Sequence, residues 1–433
     1  MKILLVGDDA RAHVLAEQLA KSSELYCLMS KFNFGIAKLT QKYFICEFSN
    51  FEAIVGWAIR EGMDLAFVVD EHALFSGLSD ALEEGGIKTV SPKMAAATIG
   101  NNRVYAKNIA RSLGIAQPNF YICKNKKEIE KAADELKSFV IKPALRMDWQ
   151  GIRFIETTPA DRKSMLSHCD GLLKKHGSVI LERKVEGEEF VVHVFSDGQK
   201  VAATVPIQPV KHLLKDDQGK ITEGMGSYSV GKLLPFMRQS DYEIAQHILS
   251  TIISDLKNRG SEFIGVLHGS FMITKTGVVL LDLKASFGKP EGINAISLIN
   301  TSISEILQSM AERRLVEISI KDKFSVVKCV VPENYPDRAK KINEIIIDEQ
   351  KIWSNGTRYY VDSVELKRGK MYTTNSRILV IYAEGNDLDS IEQKTEKSMN
   401  AIVGKIRWRE DIATRSFLDK RIEHMETIRS NHQ

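Results

Sequence analysis

The chain has 433 residues, which at roughly 150 residues per domain indicates about three domains. Hydrophobic residues make up 43% and charged residues 27%, values typical of globular proteins, so a collagen repeat, a coiled-coil rod and a disordered chain are excluded. The 60 Lys and Arg residues exceed the 56 Asp and Glu residues by only four. That surplus is too small to favour nucleic acid or a membrane surface as a partner.

Cysteine usage indicates a reducing compartment, and we therefore expect a cytoplasmic protein. The five cysteines are odd in number, widely spaced and never in a C-x-x-C pair, which argues against a disulfide framework or a zinc site. They are Cys27, Cys46, Cys123, Cys169 and Cys329. No apolar run approaches about 20 residues, and Met1–Gly7 is too short for a signal-peptide core, so we expect no membrane span.

The first hundred residues alternate predicted strands and helices, a pattern typical of βαβ units and a parallel sheet. The predicted strands are Lys2–Val6, Leu25–Met29, Tyr43–Cys46 and Leu65–Val69, and the predicted helices are Ala10–Lys21, Phe51–Arg60 and His72–Glu84. Ligands of such sheets bind outside the carboxyl ends of the strands. The turn after the first strand keeps only the first glycine, Gly7, of a dinucleotide fingerprint, and Asp8 and Asp9 would repel a pyrophosphate.

The middle of the chain mixes helices with hairpins. Asn102 is a predicted N-cap, Ser240 and Glu243 form a predicted capping box, and Asp197-Gly198 predicts a hairpin turn. The predicted strands are Phe139–Lys142, Val179–Arg183, Phe190–Phe195, Val201–Val205, Phe263–Ile273 and Val278–Lys284. The predicted helices are Arg103–Leu113, one starting at Thr158-Pro159, one from Ser240 to about Lys257, and Ile293–Arg313.

Beyond a boundary near Ile320–Phe324 the pattern predicts a small α+β domain. Its predicted strands are Ser325–Val331, Ile345–Ile347, Tyr359–Val361 and Arg377–Tyr382, followed by a helix from about Leu388 to Ile406.

Charged residues at strand ends are the first candidates for chemistry. Lys142 closes a strand and could either reach a nucleotide phosphate or remain a solvated side chain. Glu182 and Glu189 flank a glycine between two strands, where a carboxylate could accept the hydroxyls of a ribose or simply cover an acidic hairpin. Asp282 and Lys284 share one face of a strand, so the acid could hold Mg²⁺ on nucleotide phosphates or pair with the lysine.

Two further groups of residues are weaker candidates. Thr222–Tyr228 contains Gly224 and Gly226, which suit a backbone approaching a ligand or any tight turn. His13, His72 and His268 could each be structural, and we assign none of them a catalytic role.

About ten short motifs, in this order along the whole chain, resemble the phosphoribosylamine–glycine ligase (glycinamide ribonucleotide synthetase) family of the ATP-grasp superfamily. The matching residues are Val6-Gly7 with Arg11 and His13, Asn33-x-Gly35, Glu71 with Leu74 and Gly77, Ser91-Pro92 with Ala95-Ala96, Gly187-Glu188-Glu189, Gly224-Met225-Gly226-x-Tyr228-Ser229, Phe287-Gly288-x-Pro290-Glu291, Asn375-x-Arg377 and Trp408-Arg409-x-Asp411-Ile412.

The resemblance implies a fold with three parts and an ATP-dependent ligase reaction. We expect an α/β domain over residues 1–101, an ATP-grasp body over 102–322 with a mobile lid lobe at about 117–183, and a C-terminal α+β domain over 323–433. The implied reaction joins glycine to 5-phosphoribosylamine through an acyl phosphate, with ATP and Mg²⁺, on a chain that we expect to be a monomer.

The resemblance also implies roles for individual residues. The nucleotide would contact Arg103, Lys142, Glu182 and Glu189; the substrates would lie near Gly7, Arg11, Asn33, Gly224 and Gly226; and Asp282 would bind the metal.

Several positions depart from the family pattern and leave alternatives open. The glycine-rich lid is replaced by Lys142–Gly151, without two of its glycines and its lysine, and Lys284, Ser286 and Lys289 replace the metal asparagine, the substrate arginine and an acid. Besides a divergent ligase, the sequence therefore fits a catalytically impaired relative that binds nucleotide or a partner. It also fits a ligase for a different acid and amine.

Overall fold

The structure is a computed structural model that describes residues 1–146, 152–156, 159–338 and 341–430. The N-terminal elements are β1 (Lys2–Val6), α1 (Ala10–Leu19), β2 (Glu24–Met29), α2 (Phe34–Ala37), β3 (Lys42–Ile45), α3 (Phe51–Glu61), β4 (Leu65–Val68), α4 (Glu71–Ser76), α5 (Leu78–Glu84), β5 (Lys88–Thr89) and α6 (Met94–Asn101). The strands form the expected parallel sheet in the order β3-β2-β1-β4-β5. Strand β1 is the central strand of this sheet, and its apolar residues Ile3–Val6 are fully buried.

The predicted single helix over His72–Glu84 is wrong, because α4 and α5 are separate helices. Gly77 lies between them with a φ of +93°, a left-handed conformation that ends one helix and redirects the chain. Asp70 caps α4 by accepting from the backbone N–H groups of His72 and Ala73.

A four-stranded antiparallel sheet, ordered β6-β9-β7-β8, follows as the lid lobe. Helix α7 (Arg103–Ser112) precedes this lobe, whose elements are β6 (Phe120–Cys123), α8 (Lys126–Leu136), β7 (Ser138–Pro143), β8 (Arg153–Glu156), α9 (Pro159–His176) and β9 (Val179–Arg183). The lobe has its own apolar core, in which Phe139 and Leu181 pack with Ile129 of α8 and Met165 of α9. Asn102 caps α7 as predicted, whereas Thr158 and most of the altered lid, residues 147–151, lie outside the described residues.

The body contributes β10 (Glu188–Asp197), β11 (Val201–Ala203), β12 (Gln208–Leu214), β13 (Gln218–Val230), α10 (Gln239–Asn258), β14 (Ile264–Thr274), β15 (Gly277–Lys284), α11 (Glu291–Leu298) and α12 (Ile303–Ala311). Strands β11-β10-β14-β15 form one antiparallel sheet. The predicted hairpin at Asp197-Gly198 is present, and the predicted strands on either side of Thr274–Gly277 pair as a second hairpin. In contrast, Gly224 and Gly226 lie inside the long strand β13 and do not form a tight turn.

One helix prediction in the body is wrong, and a second has the right extent, Gln239–Asn258, but not the predicted capping box of Ser240 and Glu243. The predicted helix Ile293–Arg313 is interrupted because Ile299 pairs with Ile320 in an isolated β-bridge. Helix α10 begins before Ser240, and its first turn is capped by Asp241, whose carboxylate accepts from the backbone N–H of Arg238 at 2.8 Å.

The C-terminal elements are β16 (Phe324–Pro332), β17 (Glu344–Ile347), α13 (Glu349–Ser354), β18 (Arg358–Val361), β19 (Val364–Lys367), β20 (Lys370–Thr373), β21 (Leu379–Gly385), α14 (Leu388–Met399), β22 (Ile402–Val403), β23 (Ile406–Arg407) and α15 (Arg415–Ser430). The predicted helix to Ile406 is too long, since short strands follow Met399. Strands β12 and β13 of the body pair with β16 in one sheet, so the C-terminal region packs directly on the body, as expected. No helix in the described part of the chain is long and apolar enough to cross a membrane.

We predict that Gly226→Ala destabilises the protein because an added Cβ would lie 2.3 Å from the backbone oxygen of Val327 on the neighbouring strand. Overpacking of this kind typically costs about 1–3 kcal/mol in the free energy of unfolding. Gly171→Ala, within α9 and with open space around it, is the matched control and should be neutral or slightly stabilising. Equal denaturant midpoints for the two variants would contradict this packing role.

Candidate active site

A cavity of about 450 Å³ lies where β4, the lid lobe and the β10–β14–β15 sheet meet. This volume is within the range of about 300–1,000 Å³ usual for small-molecule sites. Its charged lining consists of the basic residues Arg11, Arg103, Lys142, Arg146, Arg183, Lys184, Lys211, Lys284 and Lys289 and the acidic residues Asp70, Glu71, Glu182, Glu189, Glu223, Asp282 and Glu291. Asp70 and Glu71 directly follow β4, so the cavity borders the carboxyl end of a parallel strand, where the sequence predicts ligands.

A buried cluster of two lysines and one glutamate forms one wall. Lys142 on β7 and Glu182 on β9 belong to adjacent antiparallel strands, and the Lys142 ammonium donates to Glu182 at 2.5 Å. Lys107 of α7 forms a second ion pair with Glu182 from the other side. Burial lowers the pKa of Lys107, and the Glu182 carboxylate partly offsets this effect. Two of the predicted nucleotide residues, Lys142 and Glu182, are therefore brought into contact.

Asp282, the predicted metal ligand, is held by two guanidinium groups. Arg146 donates to its carboxylate at 2.5 Å and Arg103 at 3.4 Å, while its second oxygen accepts from the backbone N–H of Leu283 at 3.0 Å. Burial alone would raise the pKa of Asp282, but Arg146 and Arg103 hold that pKa well below its usual value. The carboxylate is thus ionised, and both of its oxygens are engaged.

Lys284 lies two residues further along β15 and lines the same cavity, which confirms that it shares a face with Asp282. The proposed alternative of an Asp282–Lys284 ion pair is not formed, because Asp282 pairs with the two arginines. Among the described residues, Lys284 makes no ion pair within 4 Å. Burial lowers the pKa of its ammonium, and the nearby Glu291 and Glu71 carboxylates counteract that effect only in part.

Glu189, the predicted ribose ligand, lines the cavity from β10. Its carboxylate accepts from the Ser270 hydroxyl at 3.0 Å and forms an ion pair with Lys211. The remaining wall is apolar and contains Val140, Ile152, Phe154, Val185, Met272 and Leu281. An apolar surface beside carboxylates suits a flat heterocycle joined to a hydroxylated sugar.

Of the predicted substrate residues, the structure brings Arg11 to the cavity. Arg11 is buried, donates to Asp9 at 2.7 Å and to the backbone oxygen of Phe287 at 2.5 Å. Gly7, Asn33, Gly224 and Gly226 lie in the neighbouring backbone and do not contribute to the described lining. The Asn33 amide donates to the backbone oxygens of Asp8 and Val361, and Gly224 packs against Pro290. Substrate contact by these four residues stays a prediction.

Two carboxylates that we did not assign to the site from the sequence also line the cavity. Glu71 and Glu291 each have a buried oxygen that no side chain or backbone group of the described residues contacts by a hydrogen bond. Burial would raise the pKa of Glu71, but Lys284 and Arg11 hold that pKa below its usual value, so Glu71 is charged. An ionised, buried acceptor without a donor suits a bound amine. Both residues belong to motifs that resemble the family, Glu71 with Leu74 and Gly77, and Glu291 with Phe287 and Gly288. That resemblance was a sequence signal that could have assigned them to the site.

His193 and His268 form a buried pair beside these acids. Nδ1 of His268 lies 3.1 Å from Nε2 of His193, which also accepts from the backbone N–H of Gly288 at 3.0 Å. Burial lowers the pKa of His193 to about 3 and places that of His268 well below its usual value. Both rings are therefore neutral near pH 7 and position the backbone around Gly288.

The architecture, with a parallel-sheet domain, a two-lobed body enclosing a cationic cavity and a docked C-terminal sheet, defines an ATP-grasp protein. Family models match the chain in three consecutive parts: the phosphoribosylglycinamide synthetase N domain at residues 1–100, its ATP-grasp (A) domain at 101–292 and its C domain at 325–415. The chain belongs to the phosphoribosylglycinamide synthetase family. The domain limits predicted from the sequence stay predictions.

Individual relatives agree with this assignment. The phosphoribosylamine–glycine ligase of Methanothermobacter thermautotrophicus is 33% identical, covering 99% of this chain and 100% of the relative. That of Methanosarcina acetivorans is 34% identical, covering 99% and 98%. The crystal structure of the Thermotoga maritima phosphoribosylamine–glycine ligase superposes with a TM-score of 0.80 at 18% identity, covering 95% of this chain and 100% of that one.

We predict that Glu182→Gln strongly destabilises the lid lobe because it leaves the ammonium groups of Lys107 and Lys142 buried without a carboxylate. Removing one partner of a buried ion pair typically costs about 3–5 kcal/mol. Glu135→Gln, on an exposed face of the same lobe, is the control and should change the free energy of unfolding by about 0.5 kcal/mol or less. Urea denaturation measures both, and similar midpoints would argue against the cluster's structural role.

Proposed function

We propose that this chain catalyses the ATP-dependent joining of glycine to 5-phosphoribosylamine in purine nucleotide biosynthesis. Two relatives named phosphoribosylamine–glycine ligase match this chain at 33–34% identity, over 98–100% of their own length. The observation that carries the proposal is the cavity itself, which combines clustered cations for phosphate groups with the unsatisfied carboxylate oxygens of Glu71 and Glu291 for an amine.

The proposed chemistry proceeds in two steps. A carboxylate oxygen of glycine attacks the γ-phosphorus of ATP, the bond to the β-phosphate oxygen breaks, and ADP leaves. The amine of phosphoribosylamine then attacks the carbonyl carbon of the acyl phosphate, loses a proton and expels inorganic phosphate. Both steps bring several anionic groups together, so positioning and positive charge contribute most of the catalysis.

Each residue then has a proposed task. Arg103 and Lys142 face the phosphates, Glu189 accepts ribose hydroxyls, and the strand that carries Glu182 runs beside the adenine. Gly7, Arg11, Asn33, Gly224 and Gly226 form the proposed region for phosphoribosylamine and glycine. Glu71 and Glu291 accept from the glycine ammonium, which supplies the donors that their buried oxygens lack.

The sequence predicts a magnesium ion at Asp282, but the surroundings of this carboxylate do not suit one. Within the described residues, no group of three or more His, Cys, Asp and Glu side chains is placed to hold a metal. Mg²⁺ requires a near-octahedral set of oxygen ligands, whereas Asp282 has both oxygens engaged and Lys284 presents an ammonium beside it. The residues present do not fit the ion, and we derive no step through it.

A catalytically impaired relative is the second candidate, because two residues that differ from the family motif, Ser286 and Lys289, make structural contacts. The Ser286 hydroxyl donates to the backbone oxygen of Val69 at 2.7 Å, and Lys289 forms an ion pair with Asp9 at 2.7 Å. A ligase with a different acid and amine is the third candidate.

We further propose that the protein is a cytoplasmic monomer acting on small molecules.

The ligase proposal predicts ADP release that requires both glycine and freshly generated phosphoribosylamine. Lys142→Met should lower kcat/KM for ATP by about 10²–10³-fold, because it removes a charge that faces the transferring phosphoryl group. Lys232→Met, an exposed lysine outside the cavity, should leave the rate unchanged.

A coupled assay of ADP release measures this, with thermal unfolding to verify that each variant is folded. ADP release that requires another acid and another amine in place of glycine and phosphoribosylamine would favour the third candidate. No release above background from folded wild-type protein would favour the impaired relative.

A further inference from the structure

Several side-chain cations line the part of the cavity around Asp282. Arg103 and Arg146 contact the carboxylate of Asp282, and Lys284 lines the same cavity two residues further along β15. The carboxylates of Glu71 and Glu291 also act on Lys284 through space, but among the described residues neither lies within 4 Å of its ammonium. The lid arginine Arg146 is anchored in this place, since its Nε also donates to the backbone oxygen of Gly100 at 3.0 Å.

Asp282 does not offer an open coordination position. One oxygen accepts from Arg146 at 2.5 Å and from Arg103 at 3.4 Å, and the other accepts from the Leu283 backbone at 3.0 Å. A metal would have to displace a charge-assisted hydrogen bond, one of the stronger kinds in proteins, and would then lie beside the Lys284 ammonium. Like charges this close in a partly desolvated site repel strongly.

Whereas the carboxylate of Asp282 is fully engaged, the ammonium of Lys284 could still bind an anion. Its ammonium lines the cavity and forms no ion pair within 4 Å with any residue that the structure describes. A desolvated cation without a bound anion is costly, and a phosphate oxygen would supply the missing partner. The fixed guanidinium of Arg146 adds a second charge that a neighbouring phosphate can share.

We propose that Lys284 and Arg146 supply, from the chain itself, the positive charge that a divalent cation would otherwise place on a bound nucleoside triphosphate. The nucleotide therefore binds this cavity without Mg²⁺. This inference rests on the proposed function, in that it requires a nucleotide to bind here.

Isothermal titration calorimetry with a non-hydrolysable ATP analogue tests the proposal, with one series in excess EDTA and one in excess MgCl₂. We expect wild-type dissociation constants that agree within about threefold between the two series. Lys284→Asn should weaken binding in EDTA by about 10–100-fold, the usual range for a charge-assisted hydrogen bond. Lys284→Arg should retain metal-free binding, and Lys232→Asn, the exposed control, should match the wild type.

The outcomes separate this inference from the proposed function. Binding by wild type in MgCl₂ but not in EDTA would overturn the inference and leave the proposed function intact. Equal metal-free binding by wild type and Lys284→Asn would also overturn it. No binding in either series would overturn both. Because Lys284 has no ion-pair partner within 4 Å in the described structure, its variants should fold, and their thermal unfolding midpoints verify this.

Discussion

A charged side chain that is removed from water must be compensated by a partner, and this requirement organises the cavity. Glu182 is compensated by Lys107 and Lys142, Glu189 by Lys211, and Asp282 by two arginines. Lys284, Glu71 and Glu291 offset one another only through space, because among the described residues none of them forms an ion pair within 4 Å, and all three line the cavity. These positions therefore mark where the ligands belong.

The same requirement connects the parts of the chain. Asp9 of the N-terminal domain pairs with both Arg11 and Lys289, and Arg11 donates to the backbone of Phe287 in the body. Lys289, where the resemblance implies an acid, is paired with Asp9 at 2.7 Å. The charge of this lysine is therefore matched by an acid of the parallel-sheet domain.

Sequence reasoning predicted the periodic elements well and the site only in part. The buried apolar runs of β1, β7 and β9 specify strands directly, and Asn102 specifies a helix start. Local signals could not reveal that β13 is a long strand, because Gly224 and Gly226 suggest a turn until β16 is known to lie beside them. The end of α4 at Gly77 could have been predicted, since a glycine within a helical pattern can be a C-cap.

The partners of the charged residues were harder to foresee than the residues themselves. Lys142, Glu182, Glu189 and Asp282 all line the cavity, but their contacts depend on long-range packing. The Arg146 guanidinium reaches Asp282 across 136 positions of sequence, and no periodicity encodes such a distance.

Both proposals require that a triphosphate complete the charge balance of this cavity. A crystal structure of the protein with a non-hydrolysable ATP analogue tests that claim most directly. We predict phosphate oxygens within hydrogen-bond distance of Lys142, Arg103 and Lys284, with the base against the apolar wall. An analogue bound elsewhere, or density showing Lys284 paired with a carboxylate of the chain and no nucleotide in the cavity, would contradict the account.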